Sequence, residues 1–376
     1  MRSSARTITP RCARARAPAV EDWSLSRAPT PRKTGTFLLP DVPLDQIIPY
    51  IDWNPFFQVW QLRGKYPNRG YPKIFNDQDV GPDAKRVFND AQAMLSNIVG
   101  KKLLTARAIL GIYPSNSVGD DIEVYADEDR TEVLATFRGL RQQTERDADL
   151  ADSISPDAYH CLSDFVAPRD TGLTDHVGVF VTCAGFGLDQ YAASLRKAGD
   201  DYGAIMADAL ADRLAEALAE WLHAEVRRKI WGYAPEEDLS PEDMHRCRYS
   251  GIRPACGYPT QPDHREKLAL WSLLAKQLPT ARVLDGTADQ DLGLAAGSPL
   301  ADFPDAATAG VTLTDSLAMV PTAAVSGLYM AAPHAQYFAV GKLARDQLED
   351  YSARRGDVDG LADSERWLNS NLGYQP

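Results

Sequence analysis

An α+β fold is the class this sequence predicts, on three observations. Helix-spaced and strand-like stretches follow one another irregularly, without the steady strand–helix rhythm of a doubly wound sheet. Two neighbouring segments, 106–125 and 131–140, read as antiparallel strands. One long helix carries an apolar stripe that must lie across a sheet.

Taken in order, residues 1 to 39 are rich in Pro, Arg, Ser and Thr and predict a disordered extension, so the fold is expected to begin near residue 40, in "FLLPDVPLDQIIPYIDW". "DAKRVFNDAQAMLSNIVG" places Val87, Phe88, Ala91, Met94 and Leu95 on one helical face. "ARAILGIYPSNSVGDDIEVY" predicts strand, turn, strand around "SNSVGDD"; "TEVLATFRGL" adds an antiparallel neighbour and "HVGVFVTC" a buried strand. The long helix runs from Asp201 to Ile230, with Ile205, Ala209, Leu210, Leu214, Ala217, Leu218, Trp221, Leu222 and Val226 as its stripe. "HREKLALWSLLAKQL" predicts a short helix, "GLYMAAPHAQYFAVGKL" two strands joined by a Pro-His turn, and "ARDQLEDYSARRG" and "ADSERWLNSNLGY" two closing helices. Residues 278–310, rich in Ala, Gly, Asp and Pro, predict a surface loop or insertion.

At 376 residues with 44% hydrophobic content the chain can bury a full core. Its net charge of −12 argues against a general nucleic-acid or anionic-membrane surface, and no apolar run is long enough to span a bilayer. Cys12, Cys161, Cys183, Cys247 and Cys256 are scattered without a CxxC pair, which fits reduced thiols and a cytoplasmic protein. The first twenty residues hold five arginines and no acid, composition that fits either an organelle transit peptide, hence a mitochondrial or plastid address, or a disordered tail.

Three stretches invite chemistry. "HVGVFVTCAGFGLDQYAASL" has a GxG turn before a helix, but Gln190 stands where the third glycine of a dinucleotide fingerprint belongs, and a tight turn accounts for it. His245, Cys247, Cys256 and His264 lack the two-to-four-residue ligand spacing of structural zinc sites, so no metal is expected. In "GIRPACGYPTQPDHREK" the fork of Arg253 suits a carboxylate, Pro254 and Pro259 stiffen the backbone, and Gly257 permits close approach of a ligand. The other reading of Arg253 is a bracing pair with a nearby acid.

"YIDWNPFFQVWQLRGKYP", "NSVGDDIEVY", "LRQQTE", "DFVAP", "ADRLAEALAEWLH", "WGYAP", "GIRPACGYPTQPDHREK", "SLAM", "VSGLY", "RDQLEDY" and "NLGY" resemble, in order, the activation domain of cobalamin-dependent methionine synthase, from about Pro40 to the last residue. The resemblance implies a single α+β domain with a twisted, mainly antiparallel sheet and long bent flanking helices. It also implies binding of S-adenosylmethionine in support of reductive methylation of cob(II)alamin to methylcobalamin. The implied partners are a cobalamin-binding module and an electron donor, either flavodoxin-like or a diflavin reductase. Carried over position by position, Asp52 resembles a ligand-binding aspartate, Arg253, Gly257 and Tyr258 form the RxxxGY loop that holds the methionine end, Glu216 matches a glutamate near the site, and Tyr337 and Phe338 line it.

Two departures stand out. Phe338 replaces the second of two tyrosines common in the family, and the 278–310 stretch is longer than the family's connection. The homocysteine, folate and cobalamin modules of the full enzyme do not appear in this sequence, so no catalytic residue is expected and the chain alone is not expected to make methionine. A second reading is a stand-alone S-adenosylmethionine-binding or sensing protein without catalysis. Truncating Arg253 is expected to weaken ligand binding while sparing the fold.

Overall fold

The computed structural model describes Trp23, Arg27 and residues 29–142, 159–294 and 308–376. Its centre is a mixed sheet in the order β10-β5-β2-β1-β6-β7. The strands are β1 (Gly35–Val42), β2 (Thr105–Val118), β5 (Asp175–Phe186), β6 (Arg282–Leu284), β7 (Asp291–Leu294) and β10 (Ala324–Tyr329). Among the strands of the described residues only the β1–β6 pairing is parallel; β3 (Asp121–Tyr125) and β4 (Val133–Phe137) continue antiparallel from the end of β2. The β2–β3 turn is tighter than the sequence predicts. Val118 pairs with Asp121, leaving only Gly119, at φ +63, and Asp120 between the strands.

Side-chain alternation sorts the strands onto two faces. Phe37, Leu39, Ala106, Ala108, Leu110 and Ile112 join a core built with α3 (Gly81–Lys101) and α5 (Asp201–Glu225). Leu38, Ile109, Val177, Val179 and Val181 face a second core closed by Leu270, Leu273 and Leu274 of α7 (Glu266–Gln277). In α3, Val87, Ala91 and Leu95 are buried as the spacing predicts, and Phe88 and Met94 pack against the same core. Every predicted stripe residue of α5 is buried except Ile205, which is 49% exposed. After Glu225 the helix widens into a π turn, Val226–Ile230. The shorter helices are α1 (Leu44–Ile47), α2 (Trp53–Val59), α4 (Leu188–Lys197), α6 (Pro241–His245), α8 (Arg345–Arg355) and α9 (Leu361–Trp367). A small hairpin, β8 (Thr312–Leu313) and β9 (Met319–Val320), completes the set. The closing helices α8 and α9 pack through Leu348, Tyr351 and Leu368.

Three sequence expectations change. Order begins before residue 40: Arg32 and Lys33 donate backbone hydrogen bonds to Trp231 and Ile230, and the run Phe37-Leu38-Leu39 is buried in β1, because three consecutive apolar side chains can fill both faces of a central strand. The arginine-rich residues 1–22 lie outside the described residues. The 278–310 stretch is not all surface loop. Its first half forms β6 and β7, with Leu284 and Ala288 in the helix-side core, while 295–307 lie outside the described residues. Finally, "AAPHAQYFAVGKL" makes no second strand: β10 ends at Tyr329 and residues 331–343 run as a loop. Their backbone bonds go elsewhere, Val340 N–H donating to Pro259 O at 2.9 Å and Phe338 O accepting from the Thr260 hydroxyl at 2.7 Å.

Candidate functional site

The 251–261 loop is fastened to the edge of the sheet at β10. Ile252 N–H donates to Met330 O at 2.8 Å and Leu328 N–H to Pro254 O at 2.9 Å. A Cβ on Gly327 would stand 2.4 Å from Pro254 O, so that glycine permits the close approach. The loop then doubles back through bonds between Gly257 and Gln261 and between Gln261 and Tyr258. Gly257 sits at φ +94, and a Cβ there would lie 2.0 Å from the His264 ring.

Between this loop, α5 and the 331–343 loop lies a cavity of about 550 Å³, a size that suits a nucleoside-sized ligand. Glu216, Arg253, Tyr258, Tyr337 and Phe338 line it, with Phe180 and Val325 contributed by the sheet. Five of the seven predicted site residues therefore meet at one place. Gly257 stands beside them in the turn of the loop. Asp52 is not in the cavity wall; it caps α2, its Oδ1 accepting from the Asn54 backbone N–H at 2.9 Å and from Asn54 Nδ2 at 2.8 Å.

Arg253 lines the cavity and is at the same time paired with an acid. Its Nη2 donates to Glu220 Oε2 at 2.6 Å, its Nη1 to the Tyr249 hydroxyl at 2.9 Å, and His223 Nδ1 lies 3.4 Å from Nη1. The backbone N–H of Arg253 donates to the Tyr337 hydroxyl at 2.9 Å, tying the two walls together. Burial alone would lower the guanidinium pKa, yet Glu220, Tyr249 and Tyr337 hold it well above its usual value. His223 is driven the other way, by burial first and then by Arg227 and Arg253 on either side, and is neutral. Arg227 is itself neutralised by Glu237, with Nε at 2.9 and 2.8 Å from the two carboxylate oxygens. At the mouth, burial and the charge of Glu216 raise the Tyr258 phenol.

Sequence reasoning missed Glu220, His223 and Tyr249. A signal existed: Arg213, Glu216, Glu220, His223 and Arg227 recur at three- and four-residue steps, a polar seam along an otherwise apolar helix. The glycine turn of 185–187 is structural, Gly187 standing at φ +93 with Leu103 O 2.4 Å from any Cβ, between β5 and α4. The His/Cys series is dispersed. His245 Nε2 faces Tyr50 O at 3.2 Å, Cys247 is exposed, Cys256 is buried beside Gln261 and His264 contacts Lys267. Among the described residues no three His, Cys, Asp or Glu side chains converge on a metal position, and no helix is long and apolar enough to cross a membrane.

This chain is similar over nearly its whole length to a solved protein, the MetH reactivation domain in a crystal structure bound to AdoHcy. Sequence identity is 41% and the TM-score 0.79, covering 94% of this chain and 95% of the other. A family model described as the activation domain of vitamin B12-dependent methionine synthase matches residues 43–284 and 298–356, passing over only 285–297 in between. That match takes in α5, the 251–261 loop and the 331–343 loop, the three walls of the cavity. The chain belongs to the family of vitamin B12-dependent methionine synthase activation domains.

Proposed function

We propose that this chain binds S-adenosylmethionine in the 251–261 cavity and presents its methyl group for reductive methylation of cob(II)alamin to methylcobalamin in methionine synthase. The observation that carries this reading is the lining itself: one guanidinium, one carboxylate and four aromatic rings around about 550 Å³. S-adenosylmethionine needs that set. Arg253 suits its carboxylate through charge-assisted bonds, Glu216 its cationic ammonium or sulfonium, and the faces of Tyr258, Tyr337 and Phe338 its adenine or sulfonium. The relative bound to AdoHcy supports the same ligand class.

The residues of this chain hold and orient; none is required to exchange a proton. Arg253, held by Glu220 and Tyr249, sets where the amino-acid end lies, and the aromatic faces flank the sulfonium. Asp52, which caps α2 outside the cavity wall, is assigned to the ligand's ammonium beside Glu216 only on its resemblance to the family's ligand-binding aspartate, an assignment that Asp52→Asn tests. Cobalamin, brought by a partner module, supplies the cobalt centre that accepts the methyl group, and a flavodoxin-like protein or diflavin reductase supplies the electron. The protein is assigned to the cytoplasm.

Calorimetric titration with S-adenosylmethionine, followed by methyl transfer in the presence of a separately produced cobalamin module and an electron donor, tests the proposal. Saturable binding is expected in the first experiment and methylcobalamin in the second. A chain that takes up no ligand at millimolar concentration would defeat the reading.

A further inference from the structure

Arg253 does not wait for its ligand with a free charge. A guanidinium offers five N–H donors, and in Arg253 Nη2 is engaged by Glu220 while Nη1 is engaged by Tyr249 and faces His223. The Glu220 side chain is 7% exposed and that of Arg253 18% exposed, so water screens the pair little. Glu220 Oε1 is buried without a hydrogen-bond partner among the described residues, which leaves Arg253 as the carboxylate's ion-pair partner there. The other polar groups against this arginine add no negative charge: His223 and Tyr249 are neutral, because burial lowers the first and raises the second. Arg227, the next cation along the seam, has its own acid in Glu237.

Resting on the ligand assignment above, we infer that Glu220 is an affinity-setting residue that acts through Arg253, supplying the arginine's counter-charge in the empty cavity so that a ligand carboxylate shares a guanidinium already neutralised. Two consequences follow from the charges. Without Glu220 the buried arginine would lack a counter-ion, and a carboxylate ligand would gain the whole of that interaction on binding. With Glu220 in place the carboxylate gains only part of it. The carboxylate grip is thus deliberately moderate, and the discrimination between a sulfonium ligand and its neutral thioether product is left to Glu216 and the aromatic walls. A thioether product, which keeps the carboxylate but has lost the cationic sulfur, can then leave.

The test compares the wild-type chain with Glu220→Gln, titrated with two thioether nucleosides, S-adenosylhomocysteine and 5′-methylthioadenosine, which lacks the amino-acid end. Gln keeps an oxygen that can accept from Nη2 while removing the charge. The variant is expected to bind S-adenosylhomocysteine roughly 2- to 150-fold more tightly, the range of coupling between contacting charges, and 5′-methylthioadenosine within about twofold of wild type. A general loosening of the site would shift both ligands alike. Should Glu220→Gln fail to fold, Glu220→Asp, which keeps the charge and shortens the reach, is expected to show a smaller tightening with the same ligand dependence. Wild-type protein that binds neither ligand would bring down the site assignment and this inference together. Wild-type binding of S-adenosylhomocysteine, with no tightening or a weakening in the folded variant, would overturn this inference alone.

Discussion

Replacing Arg253 by alanine strikes the fold and the ligand site together. The truncation removes the partner of Glu220, whose side chain is only 7% exposed, and the donor to the Tyr249 hydroxyl. Breaking a fully buried pair by deleting one member costs about 3 to 5 kcal/mol. Here the 18% exposure of Arg253 and the adjoining cavity admit some water to the orphaned carboxylate, which favours the lower end, about 3 kcal/mol. With a urea dependence near 3 kcal/mol per molar, the unfolding midpoint should fall by about 1 M. Binding should weaken as well, by roughly 30- to 1000-fold for a lost charge-assisted carboxylate contact. Adding Glu220→Gln to Arg253→Ala removes the stranded charge, so the double variant should recover most of the stability and none of the affinity. Urea melts and calorimetry on the wild type, the single and the double variant read both quantities. A single variant with the wild-type midpoint, or a double variant as unstable as the single, would refute the pairing argument. Recovered affinity in the double variant would remove Arg253 from ligand contact. The depth at which the pair is buried thus argues against the expectation that truncation spares the fold, and the urea melt decides between them.

Other outcomes follow from single contacts. Tyr337→Phe removes the acceptor of the Arg253 backbone N–H at an exposed position and should cost about 0.5 to 1.5 kcal/mol in a urea melt; an unchanged midpoint would show that the contact is not needed. Gly257→Ala adds a Cβ at φ +94 against the His264 ring and should weaken ligand binding through the loop, as read by calorimetry, with wild-type affinity counting against the turn's importance. Leu284→Ala, at a position wholly buried in the helix-side core, should cost about 2 to 5 kcal/mol, whereas a surface insertion would lose almost nothing. Burial pushes Glu266 up to about 7, against the lesser opposing pull of Arg355. A folded-state acid raised above its unfolded value favours folding below its ordinary range near 4.5 and loses that contribution as pH rises through about 7. Glu266→Gln should therefore gain stability relative to wild type between pH 5 and pH 8, and a difference independent of pH would contradict the burial argument.

The sequence made the helices and the long strands legible because each has a one-sided or continuous apolar pattern. Val87, Ala91 and Leu95 announce α3, and "HVGVFVTC" announces β5. The short strands escaped because two or three residues, such as Val283 and Leu284, cannot establish a period, and because Pro and Gly around them read as loop. Residues 331–343 misled in the opposite direction. Their aromatic and β-branched content suits a strand, but among the described residues they pair with no strand, and the neighbouring loop takes hydrogen bonds of Phe338 and Val340. At the site, Arg253 stands out from the chemistry of its own loop, whereas Tyr258, Glu216, Tyr337 and Phe338 are reached through family motifs. Composition alone gave Glu216 as a solvated charge and Tyr337 and Phe338 as strand core. Glu220 escaped because the partner of Arg253 lies on another element, and pairing across elements leaves no spacing in the chain to read.

The place of β1 between β2 and β6 bears on how the chain is made. Phe37 pairs with Leu110 on one side and with Arg282 on the other. During synthesis the first strand can therefore zip onto β2 early, but its other edge stays open until the ribosome has reached Arg282. At about 5 to 20 residues per second that wait lasts roughly 10 to 50 s. Throughout it, a hydrophobic strand with unpaired backbone groups is offered to any neighbouring nascent chain. The expected signature is an early truncation product, released before Leu284, that is aggregation-prone and held by chaperones, whereas a product extending past Leu294 has both edges of β1 closed.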